Sequence, residues 1–357
     1  MKIIKIESEE ISVPLKRPFV TALRSTNNVQ SLLVKITTDT GHTGYGEVAS
    51  TAAVTGDTRE AAAAVIANYI SPNLIGLDIG HLEPLMGVLH KSILHNYSAK
   101  AGVDMAIYDL YGQLYNTPLY KILGGHKSRL STDITISIGP LQKMIDECAL
   151  HVQNGYNTLK IKVGACEGED LNIIKAIGRT VGANVAIRVD ANQGWEAKQA
   201  VRTIRKLEDM DINIEFVEQP VKARDFVAMA FVTQNVYTPI VADESVFSPK
   251  DALDILQMGG ADIINMKLMK TGGIYNALQI CSIAEAHGKK CMVGSMLESN
   301  LGATAAAHLA GGKGIVSIVD LDSPNLCAES AVKGGAIFNG VDIQLTELPG
   351  LGIADNF

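Results

Sequence analysis

Past residue 130 the chain settles into a repeating rhythm. Short apolar runs recur, each followed by a stretch of helical period: ITISIG (134–139), LKIKVG (159–164), VAIRVDAN (185–192), IEFVEQP (214–220), PIVADES (239–245), ADIINMKL (261–268), KKCMVGSM (289–296) and GIVSIVDLD (314–322). Short continuous apolar runs of this kind read as buried strands. A polar residue near the end of each run from the second onward sets the spacing: Lys162, Asp190, Glu218, Asp243, Lys267, Ser295 and Asp320 follow one another at intervals of 24 to 28 residues. Eight strand–helix units of such even length predict an α/β fold, a (β/α)8 TIM-type barrel. An open doubly wound sheet would carry a Gly-rich phosphate loop after its first strand, and ITISIGPLQKM is not one.

The first third of the chain has a different pattern. SLLVKITTDTGHTGYGEVA places β-rich runs on either side of a TDTGHTG turn, the mark of an antiparallel hairpin. Helical sequence follows in TREAAAAVIANYI and SAKAGVDMAIYDLYGQLY, leading to PLYKILGG. The expected organisation is an N-terminal α+β capping domain (1–125), the barrel (126–324) and a C-terminal segment (325–357) that returns to pack on the capping domain.

Composition narrows the function class. Of 357 residues, 47% are apolar and 19% charged, the balance of a soluble globular chain, and the formal net charge of -7 disfavours nucleic acid or an anionic membrane as partner. The opening MKIIKIESEE has no apolar core for a signal peptide, and no run of about 18 apolar residues exists to span a bilayer. The cysteines (148, 166, 281, 291 and 327) are scattered without metal-ligand spacing, so a reducing, cytoplasmic location is expected.

Barrel enzymes build their sites at the C-terminal ends of the strands. There this chain carries Lys160 and Lys162, then Asp190 and Asn192, then Glu218, Asp243 and Lys267. One acid at a strand end is usually a helix cap; consecutive strand ends carrying Lys, Asp, Glu, Asp and Lys are not explained that way. Three carboxylates without His or Cys form a hard oxygen site suited to Mg²⁺ or Mn²⁺. Strand alternation puts Lys160 and Lys162 on one face. Two ammonium groups so close should depress one pKa, which makes Lys162 a candidate base and Lys160 the charge that tunes it. Lys267, four strands further round, would face Lys162 across a bound carbon.

The set KIK, VDAN, VEQP, ADES and NMKL, with GYGE and VDMAIYDLYG in the capping domain, resembles the enolase superfamily in its muconate-lactonizing-enzyme subgroup. Enolase-type sites pair a lysine or histidine base with Mg²⁺. The resemblance implies Asp190, Glu218 and Asp243 as Mg²⁺ ligands (Mn²⁺ as substitute), with Asn192 supporting them, and Lys162 and Lys267 as the acid/base pair. It implies a carboxylate substrate whose α-proton is removed to an enediolate stabilised by metal and by Lys160.

IVDLDSP puts Asp320 and Asp322 on one face, a two-carboxylate clamp that attracts a free ammonium and repels a dianion; Asp322 before Ser-Pro also suits a turn. This DLD resembles the DxD of dipeptide epimerases. In PFVTALRSTNN, read as a mobile loop, Arg24 resembles the arginine with which epimerases acting on Ala-Glu hold the glutamate carboxylate. Thr135 matches a family position near substrate. Ser295 is a further substrate candidate, although SMLE also fits a capping box of Ser295 and Glu298, and Leu297 is apolar where a second cation would favour glutamate. The expected protein is therefore a Mg²⁺-dependent dipeptide epimerase inverting the C-terminal residue by 1,1-proton transfer, with L-Ala-L/D-Glu first among substrates and a homo-oligomeric assembly. The alternatives are an o-succinylbenzoate synthase or muconate-type cycloisomerase, a Schiff-base lysine enzyme, and a non-catalytic barrel.

Overall fold

A computed structural model describes residues 1–20, 25–164 and 168–354. The N-terminal sheet consists of β1 (Ile3–Val20), β2 (Ser25–Thr38) and β3 (Thr43–Val48), all antiparallel. β1 and β2 form a long arm whose pairing runs from Ile3↔Thr38 through Val13↔Val29 to Phe19↔Thr26 and Val20↔Ser25. The flanks of PFVTALRSTNN, read from sequence as loop, are therefore strand: cross-strand pairing supplies the order that local hydrophobic period lacked. Arg24 itself lies outside the described residues.

Helix Tyr97–Leu114 crosses this sheet at close range. Glycine permits the approach: a methyl group on Gly46 would collide with the carbonyl of Gly102 in the helix. That contact gives GYG and the helix glycine a packing reason.

β4 (Arg129–Ser131) enters the barrel region. The barrel strands are β5 (Ile134–Ile136), β6 (Thr158–Lys162), β7 (Ala186–Asp190), β8 (Ile214–Glu218), β9 (Ile240–Ala242), β10 (Ile263–Lys267), β11 (Lys290–Gly294) and β12 (Val316–Asp320). They lie side by side in chain order, parallel throughout. The seam between β12 and β5 is tied by Thr135 N donating to Asp322 Oδ2 at 2.7 Å and Leu321 N donating to Thr132 Oγ1 at 2.8 Å. Each strand is shorter than its apolar run, because the last residues of the runs bend away as loop once past the ladder.

Beneath the mouth the barrel is filled by Phe216, Val241, Ile263, Met292 and Ile318. Arg188 is buried among them, stacked on Phe216 and bonded to Asp133 Oδ2 and Glu215 Oε2, each at 2.7 Å. Arg188, Phe216 and Ile318 each stand two residues before an acid of the mouth, so alternation points both sets inward in successive layers.

Past the barrel, β13 (Ile337–Asn339) pairs with β14 (Asp342–Gln344), and β14 pairs with β4, all antiparallel. Ala328 N donates to Pro14 O in β1, and Leu119 N donates to Gly350 O, so this segment touches the N-terminal sheet and helices as well.

Two N-terminal carboxylates seat the sheet on the barrel. Glu47, on β3, accepts from Ser299 N, Ser299 Oγ and Gly302 N at 2.7 to 3.0 Å, at the start of helix Asn300–Gly312. Asp104 accepts from Ile274 N at 2.6 Å and Tyr275 N at 3.2 Å, at the start of helix Ile274–Ala286. Both carboxylates meet the unpaired N–H groups of a helix N-terminus. Helix Asn300–Gly312 is capped by Ser299, whose side chain accepts from Leu301 N. The capping box expected at Ser295 and Glu298 is thus absent; Glu298 Oε1 accepts from Met296 N instead, and the helix starts further on. Among the described residues no helix is long and apolar enough to cross a membrane.

Candidate active site

Parallel register brings the strand-end residues together. Lys162 pairs with Asp190 and Asp190 with Glu218, across β6, β7 and β8. On the other side, Lys267 pairs with Gly294 and Gly294 with Asp320, across β10, β11 and β12. Gly294 leaves room for its neighbour: a methyl there would lie 3.3 Å from Lys267 Cε and 3.0 Å from Asn265 Oδ1.

Lys160 is the hub. Its Nζ lies 2.7 Å from Asp320 Oδ2, 2.7 Å from Glu218 Oε2 and 3.2 Å from Asp190 Oδ2. Lys162 Nζ donates to Asp190 Oδ2 at 2.6 Å and to Asn192 Oδ1 at 3.0 Å. Lys267 Nζ donates to Asp243 Oδ2 at 2.8 Å. All these lysines are buried or nearly so. The loops after β7 and β8 turn through left-handed backbone at Asn192 (φ 42°) and Gln219 (φ 38°), a strained conformation for non-glycine residues. Asn192 also binds Glu244 Oε1 through Nδ2 at 3.1 Å.

The electrostatics amend one expectation. Lys160 was to act on Lys162 as a neighbouring positive charge, but both ammonium groups meet carboxylate first and share Asp190 Oδ2. Burial alone would lower the pKa of Lys160; Asp320, Glu218 and Asp190 outweigh it and hold the ammonium well above its ordinary range. Lys267 is likewise raised, with burial outweighed by Asp243. Burial and the nearby Asp190 and Asp243 push Glu218 up to about 7 despite Lys160. Asp322 is pushed up to about 6 by burial and by Asp320, while Lys160 overcomes burial to draw Asp320 down to about 2.

The cavity above these groups is lined by Thr135, Lys160, Lys162, Asn192, Asp243, Lys267, Ser295, Asp320 and Asp322. Its open space is about 880 Å³, mouth included. Asp190 and Glu218 lie behind the lysines. Phe19, Thr51, Ala53 and Val54 reach in from the N-terminal region, and Met296, Leu297 and Leu326 add apolar surface.

Sequence reasoning missed three polar members. Asn265 Nδ2 donates to Glu218 Oε1 at 2.7 Å. Its signal was available, because Asn265 stands two residues before Lys267 and so shares its face. Lys270, fully buried, sits 2.5 Å from Asp243 Oδ1 and also bonds the Asp243 carbonyl. A lysine within the otherwise apolar LMKTGG was the hint. Glu244 follows Asp243 directly. The lining from Thr51 to Val54 had no signal, since it arrives from a distant loop.

The acids suit a hard divalent cation in chemistry more than in present placement. Asp190, Glu218 and Asp243 are buried and end adjacent strands. Glu218 Oε2 and Asp243 Oδ1 accept no well-directed hydrogen bond, although Lys160 and Lys270 approach them. Such oxygens are available donors. Yet among the described residues no three acidic, His or Cys side chains converge as a ready coordination sphere. Ammonium groups neutralise these carboxylates here: Lys160 Nζ lies within 3.2 Å of Asp190 and Glu218, and Lys267 and Lys270 lie within 2.8 Å of Asp243.

Comparison with known proteins places this arrangement. Over 343 residues the chain is 50% identical to an L-Ala-D/L-Glu epimerase of Clostridium acetobutylicum, covering 96% of both chains. The substrate-liganded structure of the L-Ala-D/L-Glu epimerase from Bacillus subtilis superposes with TM-score 0.97 at 44% identity, covering 99% of each chain. The dipeptide epimerase of Enterococcus faecalis, in complex with Mg and L-Leu-L-Tyr, superposes with TM-score 0.96 at 40% identity, covering 99% of this chain and 100% of the other. Residues 4–124 match the mandelate racemase / muconate lactonizing enzyme N-terminal domain, and residues 143–356 match the enolase C-terminal domain-like family. With both models matched in tandem, the chain belongs to the mandelate racemase / muconate lactonizing enzyme family of the enolase superfamily.

Proposed function

We propose that this protein is a Mg²⁺-dependent dipeptide epimerase, inverting the α-carbon of the C-terminal residue. The observation that carries the reading is the flanking of one acidic row by two lysines: Lys162 on Asp190 at one end, Lys267 on Asp243 at the other. Inversion of a carbon needs proton removal on one face and delivery on the other, which two separately held amines can perform. The dipeptide epimerases among its relatives support the reading, as does the acidic pair Asp320 and Asp322 lining the same cavity.

The substrate carboxylate enters toward Asp190, Glu218 and Asp243, the residues that would hold Mg²⁺. Bound there, the ion supplies a Lewis acid that lowers the cost of negative charge next to the α-carbon. Lys160 adds a fixed positive charge from beneath. Lys162 takes the α-proton from one stereoisomer and Lys267 returns a proton to the opposite face; the reverse reaction exchanges their roles. Asp320 and Asp322 hold the free ammonium of the first residue, and Thr135 orients Asp322 through its backbone N–H. Ser295 contributes a hydroxyl at the rim, and Asn192 steadies Lys162. We take L-Ala-L/D-Glu as the first pair, supported by the epimerases of that specificity at 50% and 44% identity, with Arg24 as partner of the glutamate carboxylate. The cytoplasm is the proposed compartment, consistent with four free, buried cysteines among the described residues.

The test is a dipeptide panel incubated in deuterated water with and without Mg²⁺, followed by mass spectrometry. Mg²⁺-dependent uptake of one deuteron at the C-terminal residue, with inversion, is expected. Cyclisation or elimination of a non-amino-acid carboxylate, without dipeptide exchange, would refute the reading.

A further inference from the structure

The loops that follow β6 and β7 meet backbone to backbone. Gly164, just past β6, has left-handed backbone (φ 90°), and a methyl group on it would lie 2.3 Å from Ala191 O. A methyl on Gly194 would lie 2.5 Å from Gly164 O. Only glycine fits at these two points of contact. One side chain then fastens the loops together. Asp170, the first residue of helix Asp170–Val181, accepts from Gly164 N at 3.0 Å through Oδ1 and from Trp195 Nε1 at 2.7 Å through Oδ2. Asp170 and Trp195 are both buried, and neither lines the catalytic cavity.

Both loops bear on Lys162. Gly164 lies two residues past it, and Val163 N, between them, donates to Asp190 O at 2.9 Å. Trp195 lies three residues past Asn192. Asn192 Oδ1 accepts from Lys162 Nζ at 3.0 Å, and Asn192 N donates to Asp190 Oδ1 at 2.9 Å. The left-handed backbone of Asn192 is a strained state that persists only where its surroundings hold it. Asp170 thus ties the backbone that carries Lys162 to the loop that supplies its amide partner. Lys267 stands outside this arrangement. It is bonded to Asp243, and among the described residues no hydrogen bond joins Asp170 or Trp195 to β9, β10 or β11.

We infer that Asp170 and Trp195 are positioning residues for Lys162 alone, so that one of the two acid/base groups has a support the other does not share. The inference rests on the two-base reading of the active site and deepens it. A general base works only within hydrogen-bond reach of the proton it takes. Loosening the Asp170 link lets Gly164 and Asn192 part, and Lys162 Nζ moves off the α-proton while Lys267 keeps its place on Asp243. The cost therefore falls on one face of the substrate carbon.

The experiment measures deuterium uptake at the C-terminal α-carbon from each antipode of one dipeptide separately, at saturating Mg²⁺. It uses the wild type, Asp170→Asn and Trp195→Phe, with Lys162→Ala and Lys267→Ala as references. Asp170→Asn keeps the shape and loses one of the two acceptors; Trp195→Phe keeps an aromatic ring and removes the N–H. Each is expected to slow exchange by about 10- to 100-fold from the antipode that Lys162→Ala fails to exchange, and by no more than about twofold from the other. A merely structural role would reduce the folded fraction and lower both rates by the same factor. Equal losses from the two antipodes, or no loss from either, overturn the positioning role and leave the two-base reading intact. If the two lysine variants do not lose opposite antipodes, the two-base reading falls and this inference with it.

Discussion

Lys162 and Lys267 end strands four apart in the barrel order, and each is bonded to a different acid of the row between them: Asp190 Oδ2 at 2.6 Å and Asp243 Oδ2 at 2.8 Å. No bond joins the two amines, and the acids they hold lie on β7 and just past β9, with Glu218 on β8 between. On the proposed two-base reading, the two amines approach one substrate carbon from opposite sides without competing for a partner. Replacing either by alanine is expected to cut inversion by about 10²- to 10⁴-fold. Proton NMR in deuterated water should still show exchange from one antipode in each variant, and from opposite antipodes in the two. Wild-type inversion rates in both variants would end the two-base assignment.

Removing the metal should abolish turnover, and adding back Mg²⁺ should restore it. Asn265 gives a subtler probe, because its Nδ2 fixes Glu218 Oε1 at 2.7 Å without reaching the cavity itself. Asn265→Ala is expected to weaken Mg²⁺ binding by about 10- to 100-fold, read by calorimetric titration independently of activity. Unchanged affinity would mean that Glu218 needs no such support.

Asp322 can lose its charge while keeping its hydrogen bond, since an asparagine oxygen can still accept from Thr135 N. Asp322→Asn should lower kcat/KM for free dipeptides by roughly 30-fold, the worth of about 2 kcal/mol in a charge-assisted contact. N-acetylated dipeptides, with no ammonium to hold, should show little change. Equal losses on both would assign Asp322 to barrel closure alone.

Glu47 stands away from the chemistry but accepts from Ser31 Oγ, Ser299 N, Ser299 Oγ and Gly302 N while fully buried. Glu47→Ala strands those donors and is expected to cost about 3 kcal/mol of stability in urea unfolding. Glu47→Gln, which keeps an acceptor, should cost less. A loss within experimental error for Glu47→Ala would show that the N-terminal sheet is seated by other contacts.

His308 predicts acid sensitivity. It is fully buried in helix Asn300–Gly312, its Nδ1 accepts from Tyr120 N at 3.0 Å, and burial pulls its pKa down to about 3. The unfolded chain binds a proton at the ordinary histidine value near 6.5. Because the folded value is the lower one, the stabilisation is complete above that range and is lost as pH falls from there toward 3. His308→Asn retains an acceptor for Tyr120 N and should flatten the fall in unfolding free energy over this window by about one proton. An unchanged slope would assign the acid sensitivity to other groups, such as His90, which burial lowers to about 4.

The eight strands were legible because a parallel strand buried on both faces must be apolar along its length, and the even spacing of Lys162, Asp190, Glu218, Asp243 and Lys267 follows from one strand and one helix per unit. The pairing of Lys160 with Lys162 on one face was equally local, a matter of alternation. The strand character of Pro18–Val20 and Ser25–Asn28 was not legible, because it comes from pairing between β1 and β2 and not from the residues' own pattern. Ser295 and Glu298 matched a capping box in sequence, yet the chain passes Ser299 before the helix begins, where Glu47 from another part of the molecule binds the first N–H groups.

The sequence by itself determined which residues reach the barrel mouth, because side-chain direction in a strand and the repeat of strand and helix are set by neighbours along the chain. Only the tertiary structure decided how those residues share charge: Lys160 bridging three acids, Asp190 serving two lysines, Lys270 meeting Asp243. Coulombic pairing in a buried site depends on distances of a few ångströms between different strands, and those distances exist only once the barrel has closed.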